Sequence, residues 1–406
     1  MSSQTRQGWL APFSAAIPLI VLPIAVLSIP LAAAENLGLS TAQIASWILA
    51  VYGLTSVVSM ILSYYYRQPL LITGNVFVLI FIASLGRQLS FAELIGALMV
   101  TGACVLALGA LGLTPRLAEW IPAPVVMGVL AGAIMPFVSG IFTSLGDWPG
   151  PIGGALIAYL WGKRLNTRLP PILPAAIALI AIAALAGDLT PAGSFVWVAT
   201  PQLTLPVFSL EAILTAVPVM IVVITLQSNV PSLIFLRNQG YDPPERVITL
   251  VSGVGTIVGS LLGPTALSLS LPATSLAAGP DAGQRSLRHR TVYIGGVVVL
   301  VIGLMGDLAA ELPAMIPRAL LLALAGLATV SVLARALHQI TEGPLLLGPL
   351  FAFAIALSDV SLLGLGPIFW ALVIGTAVSQ GVERERRPAP AAEVRPAAVG
   401  GPAGEG

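Results

Sequence analysis

The sequence predicts an all-α polytopic membrane protein of fourteen transmembrane segments in a seven-plus-seven inverted repeat, with short extended segments breaking the third and the tenth. Three observations carry this prediction. The 406 residues are 57% hydrophobic and 9% charged, with a mean hydropathy of +0.97, where a soluble domain carries about 25% charged residues. The basic residues fall almost entirely in alternate connections between apolar windows. Special residues recur at a separation of 195.

A helix needs about 20 apolar residues to cross the roughly 30 Å hydrocarbon core. Apolar windows bounded by charges, Gly and Pro fall at 11–34, 41–63, 68–85, 91–113, 121–143, 149–162 and 169–187, and again at 209–236, 246–262, 264–279, 291–310, 316–336, 343–360 and 362–381. The windows at 149 and 264 are too short to cross alone as straight helices. The first is too long, and with Pro12, Pro18, Pro23 and Pro30 too proline-rich, for a cleaved signal segment.

With residues 1–10 in the cytoplasm, sixteen of the eighteen Lys and Arg lie in even-numbered connections or in the two tails; Arg87 and Arg318 are the exceptions. Cytoplasmic connections carry the excess of basic residues, and one missing span would invert every later connection. The outer connections instead hold Asp147, Asp188, Asp307, Glu311 and Asp359. Both termini are therefore expected in the cytoplasm, with the protein in the cell's inner (plasma) membrane. Residues 382–406 are rich in Pro, Ala and Gly without apolar periodicity and read as a disordered tail.

Two halves follow, 11–187 and 209–381, joined by an external connection over 188–208. The separation of 195 aligns Pro23 with Pro218, Pro69 with Pro264, Ile121-Pro122 with Ile316-Pro317, and Asp147 with Glu342. Seven spans are an odd number, so the second half enters the membrane inverted, an arrangement that places a shared site near the midplane.

Under that mapping "QPLLITGN" (Gln68 to Asn75) lies on "GPTALSLS" (Gly263 to Ser270), with Thr73 opposite Ser268 and Asn75 opposite Ser270. Pro, Gly and small polar residues suit an extended stretch that restarts as a capped half-helix. Thr73 or Asn75 is expected to cap Val76 to Leu85, and Ser270 to cap Leu271 to Ala278 with Pro272 in its first turn. Two such N-termini near the midplane bring free N–H groups and partial positive charge, which favour a carboxylate or another anion without a buried lysine or arginine. The candidate binding residues are Thr73, Gly74, Asn75, Ser268, Leu269 and Ser270. Gln227 and Asn229 in the eighth window either contact the substrate or support the neighbouring broken span. The glycines of "MGVLAG" (Met127 to Gly132) and "GTIVG" (Gly255 to Gly259) read as close-packing positions, and no lysine follows them as a nucleotide loop requires.

Other chemistry is excluded. Cys104 is the only cysteine, and His289 and His338 stand in no ligand spacing, so no metal and no cofactor is expected. No nucleophile, histidine and acid gather in the spans, which argues against an enzyme.

"QSNVPSLIFLRNQGYDPP" (Gln227 to Pro244), "AAGPDAGQR" (Ala277 to Arg285) and "IPRALLLALAGLA" (Ile316 to Ala328) resemble segments of the benzoate:proton symporters, a family related in fold to the uracil/xanthine permeases and the sulfate-type anion transporters. The resemblance spans nearly the whole chain to Gln380; one departure is Ser228, interposed in the family's Gln-Asn-x-Pro. It implies a core domain of spans 1–4 and 8–11 carrying the site, a gate domain of spans 5–7 and 12–14, and import of a small aromatic carboxylate with protons by an elevator or rocking motion. Uracil-type permeases use glutamates in spans 8 and 10, and residues 213–236 and 265–278 hold no acid here. Sulfate-type transporters usually append a regulatory domain, and this tail is short.

The expected partners are a small organic anion, protons and the lipid bilayer, with a homodimer left open and no nucleic acid. Glu93, Asp307, Glu311 and Asp359 are the weak candidates for proton coupling, since all read near the outer interface. A nucleobase permease, an inorganic-anion transporter or a passive channel of the same fold are the alternatives.

Overall fold

The computed structural model describes residues 3–85, 88–165, 170–191, 198–342, 344–358, 360, 362–363 and 365–383. Asp359, Arg87 and the tail from residue 384 lie outside them. The described chain is a polytopic helical membrane protein. Seven of its helices are long and apolar enough to cross a membrane: Ala15–Leu37, Thr41–Tyr66, Phe91–Leu111, Ala123–Leu145, Leu210–Asn238, Arg285–Leu304 and Arg318–Thr341. Four apolar helices are shorter, Val76–Leu85, Ile172–Ala186, Leu347–Leu357 and Pro367–Gly381.

Local chemistry sets where these helices begin. Ser40 and Gln43 form a capping box before Thr41, and Ser90 with Glu93 does the same before Phe91, each satisfying two otherwise orphaned backbone donors. Glu93 is thereby engaged in a helix cap.

Two helices contain a π-helical turn, Leu49–Leu54 and Val223–Asn229. The wider turn displaces carbonyl groups from their usual donors, and hydroxyls return to them four residues back. Thr55 donates to the Val51 carbonyl at 2.6 Å and Ser56 to Tyr52 at 2.6 Å. In the second turn Thr225 donates to Ile221 at 2.6 Å and Ser232 to Ser228 at 2.7 Å.

In lipid, helices associate through close contact of small residues rather than through hydrophobic exclusion. The backbones of Phe91–Leu111 and Glu245–Ser260 meet at Gly102 and Gly253, where an added methyl carbon on Gly102 would lie 2.8 Å from the Gly253 carbonyl. Gly128 and Gly132 seat Ala123–Leu145 against the carbonyls of Pro349 and Phe353. Gly255 and Gly259 receive the Leu267 side chain. Both glycine pairs therefore serve packing, as their sequence context indicates.

Elements recur at the interval of 195. The strands β1 (Ile72–Gly74) and β2 (Leu267–Leu269) start 195 residues apart, as do the helices at Val76 and Leu271, at Ala123 and Arg318, and at Ile172 and Pro367. Packing follows the same interval: Ser3–Val26 lies on His289–Leu304, and Leu210–Val222 lies on Phe91–Leu111.

Glu383, counted with the tail in the sequence, is buried instead. Its carboxylate accepts the N–H groups of Leu346 and Leu347, both at 2.7 Å, and of Gly348 at 3.0 Å, and so caps the helix Leu347–Leu357 from the end of Pro367–Gly381. Burial pulls this carboxyl upward, but the hydrogen bonds from Gly348, Leu346 and Leu347 outweigh it and hold the group below its ordinary value of 4.5. A depressed carboxylate stabilises the fold above its unfolded value and loses that contribution as pH falls through the folded one. Glu383→Gln is therefore expected to cost about 1–3 kcal/mol at pH 7. In thermal unfolding at stepped pH, its gap to the wild type should close below the ordinary value of 4.5; a gap that persists undiminished at lower pH would contradict the assignment.

Candidate functional site

Extended backbone at membrane depth needs a hydrogen-bond partner for every N–H and C=O, because each unpaired group costs several kcal/mol. The two broken windows supply each other. β1 and β2 pair antiparallel in the register Ile72 with Leu269, Thr73 with Ser268 and Gly74 with Leu267. Beyond the strands, the Asn75 N–H donates to the Ala266 carbonyl at 2.8 Å and the Ser270 N–H to the Leu71 carbonyl at 3.1 Å. The local twofold of this ladder passes through Thr73 and Ser268, so it relates each residue to one 195 positions later.

A two-stranded ladder still has two outer edges, and side chains of the flanking helices meet them. Ser59 donates to the Ile72 carbonyl at 2.7 Å, and Ser63 accepts the Leu70 N–H at 3.1 Å. Along β2, Thr256 accepts the Leu267 N–H at 2.9 Å and Asn229 Oδ1 the Leu269 N–H at 2.8 Å. Asn229 Nδ2 donates to Ser252 at 3.2 Å.

Each strand restarts as a helix. Asn75 Oδ1 accepts the Val78 N–H at 3.1 Å, while its Nδ2 donates to Ser228 and to Ser268, both at 2.8 Å. Ser270 Oγ accepts the Ala273 N–H at 3.5 Å, with Pro272 in the first turn. The first N–H groups of both half-helices have no intrahelical acceptor, and each N-terminus carries partial positive charge.

A cavity of about 80 Å³ opens beside β1. Leu19, Leu22, Pro23 and Val26 of the first helix form one apolar wall, and Gly295, Gly296 and Val299 form another. Tyr52, Thr55, Ser56, Ser59, Thr73 and Ser270 bring hydroxyls to it. Four of these already donate to backbone: Thr55 and Ser56 across the π-helical turn, Ser59 to Ile72, and Tyr52 to the Pro23 carbonyl at 3.1 Å. Thr73 and Ser270 are the hydroxyls left to donate to a bound group.

The structure thus divides the sequence-predicted residues. Thr73, Gly74 and Ser270 line the cavity. Asn75, Ser268, Leu269 and Asn229 are buried beside it within the ladder and its supports, and half-buried Gln227 does not reach it. Glu93, Asp307 and Glu311 do not line it either. Sequence reasoning missed Tyr52, Thr55, Ser56 and Ser59, although the hydroxyl spacing of "YGLTSVVS" (Tyr52 to Ser59) is a readable polar stripe on a helix.

Residues 11–380 match the family model described as benzoate membrane transport protein. The protein named Inner membrane protein YdcO of Escherichia coli is 26% identical over 344 residues, covering 83% of this chain and 87% of that one. Benzoate membrane transport protein of Acinetobacter baylyi is 25% identical over 346 residues, covering 84% and 87%. Among solved structures, the transmembrane domain of a cyanobacterium bicarbonate transporter, BicA, superposes with a TM-score of 0.57 at 17% identity, covering 92% of this chain and 98% of that one. At that identity the likeness concerns the fold alone.

The division between ladder and cavity has a measurable consequence. Asn229→Leu leaves the Leu269 N–H without its acceptor and should cost about 1–3 kcal/mol of stability. Thr73→Val, on the cavity wall, should stay within about 0.5 kcal/mol. Thermal unfolding in detergent compares them directly, and equal losses in the two variants would contradict the division.

Proposed function

Because the chain belongs to the benzoate membrane transport protein family, we propose that it imports a small aromatic carboxylate such as benzoate across the inner membrane, bound in the cavity at the two half-helix N-termini. A member of a membrane transport family, it is a transporter and not an enzyme. The observation that carries the proposal is the reciprocal ladder Thr73–Ser268, which holds two helix N-termini and the free hydroxyls of Thr73 and Ser270 at one place. Anions bind such termini through N–H groups and the helix dipole, and the leucine and valine walls suit an aromatic ring.

The proposal includes fourteen spans as a seven-plus-seven inverted repeat with both termini cytoplasmic. Elements that begin 195 residues apart, and the ladder's twofold at that same interval, support it. Spans 1–4 and 8–11 then form a core that carries the site, and spans 5–7 and 12–14 a gate against which it moves in an elevator-like cycle. Asn75, Ser268, Leu269, Gln227 and Asn229 belong to the site as its supports. Import with protons belongs to the same reading, although no described acid lines the cavity and Glu93 is engaged as a helix cap.

The test is a thermal-shift screen of the purified protein against benzoate, uracil, xanthine, sulfate and bicarbonate, joined to uptake by proteoliposomes under a proton gradient. Benzoate is expected to stabilise the protein, and Ser270→Leu to reduce benzoate uptake at least about tenfold while unfolding within a few degrees of wild type. Stabilisation by the nucleobases or inorganic anions alone would replace the proposed substrate.

A further inference from the structure

Arg335 sits on the helix Arg318–Thr341, and its Cζ lies 5.6 Å from the centroid of the Phe77 ring. Phe77 is the second residue of the half-helix Val76–Leu85, two positions after the Asn75 cap and next to Val76 of the cavity wall. Residue 335 is exposed, and no described carboxylate forms an ion pair with it. A guanidinium within an apolar helix is costly unless it faces water or a charged group, and one aromatic face does not replace a counter-ion.

The surroundings give this charge a direction. At the start of the same helix, Arg318 Nη2 donates to Asn36 Oδ1 at 3.1 Å, and its Nε lies 4.0 Å from Glu35. That end is tied to the helix Ser28–Leu37, whereas the Arg335 end leaves the cation open. The position 195 residues earlier is Gly140, which carries no side chain and has open space around it. The charge is therefore present on one side of the repeat interval only.

We propose that the Arg335 guanidinium is a substrate-positioning group that takes the carboxylate of the organic anion as it passes between the cavity and the open side, drawing the ring past Phe77. The inference rests on the reading that the half-helix site binds an organic anion. Phe77 lies against the guanidinium face and is displaced, or shares the cation, when the carboxylate arrives. A cation at only one of the two positions related by the interval of 195 makes the path electrically asymmetric, so anion affinity differs between the two sides.

The test compares wild type, Arg335→Met and Arg335→Lys in proteoliposomes, reading the benzoate KM, its dependence on ionic strength, and thermal stability. Arg335→Met should raise the KM about tenfold and flatten the salt dependence, because the screened charge is gone. Arg335→Lys should keep the salt dependence and most of the affinity. An Arg335→Met protein with wild-type KM and salt dependence overturns the inference, as does an equal loss in both variants, which marks a packing role. Wild-type protein that neither binds nor carries benzoate overturns the site reading, and this inference with it.

Discussion

The structure depends on one constraint, that extended backbone inside a membrane must find hydrogen-bond partners within the protein. Two three-residue strands from distant parts of the chain meet this need for each other through a single ladder. The ladder in turn dictates what surrounds it. Its outer edges need donors and acceptors, and these come from Ser59, Ser63, Asn229 and Thr256, all buried. Its narrow spacing needs small residues, so Gly74 lies where a methyl carbon would strike Val51 at 2.8 Å. The half-helix N-termini follow from the same cause, because a chain that leaves helical form at mid-depth must restart a helix there.

The two halves share this framework and then diverge. Asn75 and Ser270 cap their half-helices at corresponding positions, and each accepts the N–H three residues on. Asn75, however, also bridges to Ser228 and Ser268, so the first half-helix start is the more firmly held. On the β2 side Leu267 fills the space over Gly255 and Gly259. On the β1 side a cavity opens between the first helix and the glycines 295 and 296. The ladder thus repeats at the interval of 195, and the cavity lies where the two sides of it differ.

Much of this was legible from spacing. The interval of 195 placed Thr73 against Ser268 because the twofold of an antiparallel ladder relates residues by a constant offset, and sequence preserves offsets. Direction was not legible. Asn75 and Asn229 stand in apolar runs, which signals a polar duty, but only the fold shows their hydrogen bonds within the ladder and its supports and leaves them off the cavity lining. Tyr52, Thr55 and Ser56 form a stripe readable from their spacing but escaped notice because hydroxyls on an apolar helix are ordinary packing residues, and the π-helical turn Leu49–Leu54 beside them has no local sequence signature. Glu383 looked like tail because the partners of its carboxylate lie 35 to 37 residues away. Arg335 was counted by side of the membrane, and a charge rule that counts sides carries no information about depth.

The contacts between the helix Arg318–Thr341 and its neighbours also bear on how the proposed cycle is driven. The Arg318–Glu35 pair is long, at 4.0 Å, and its side chains are 53% and 32% exposed. Such a pair contributes about 0–1 kcal/mol. A strong buried tie at that end would hold one conformation and stop transport, since a ligand shifts an equilibrium only by its differential affinity for the two states. A few kcal/mol of carboxylate binding suffices against a tie this weak. The expensive interactions are placed instead inside the ladder, where Asn75, Asn229 and Thr256 keep the half-helix ends fixed relative to each other. The proposed cycle asks for that combination, a framework held firmly by its hydrogen bonds and a surface pair that is cheap to break.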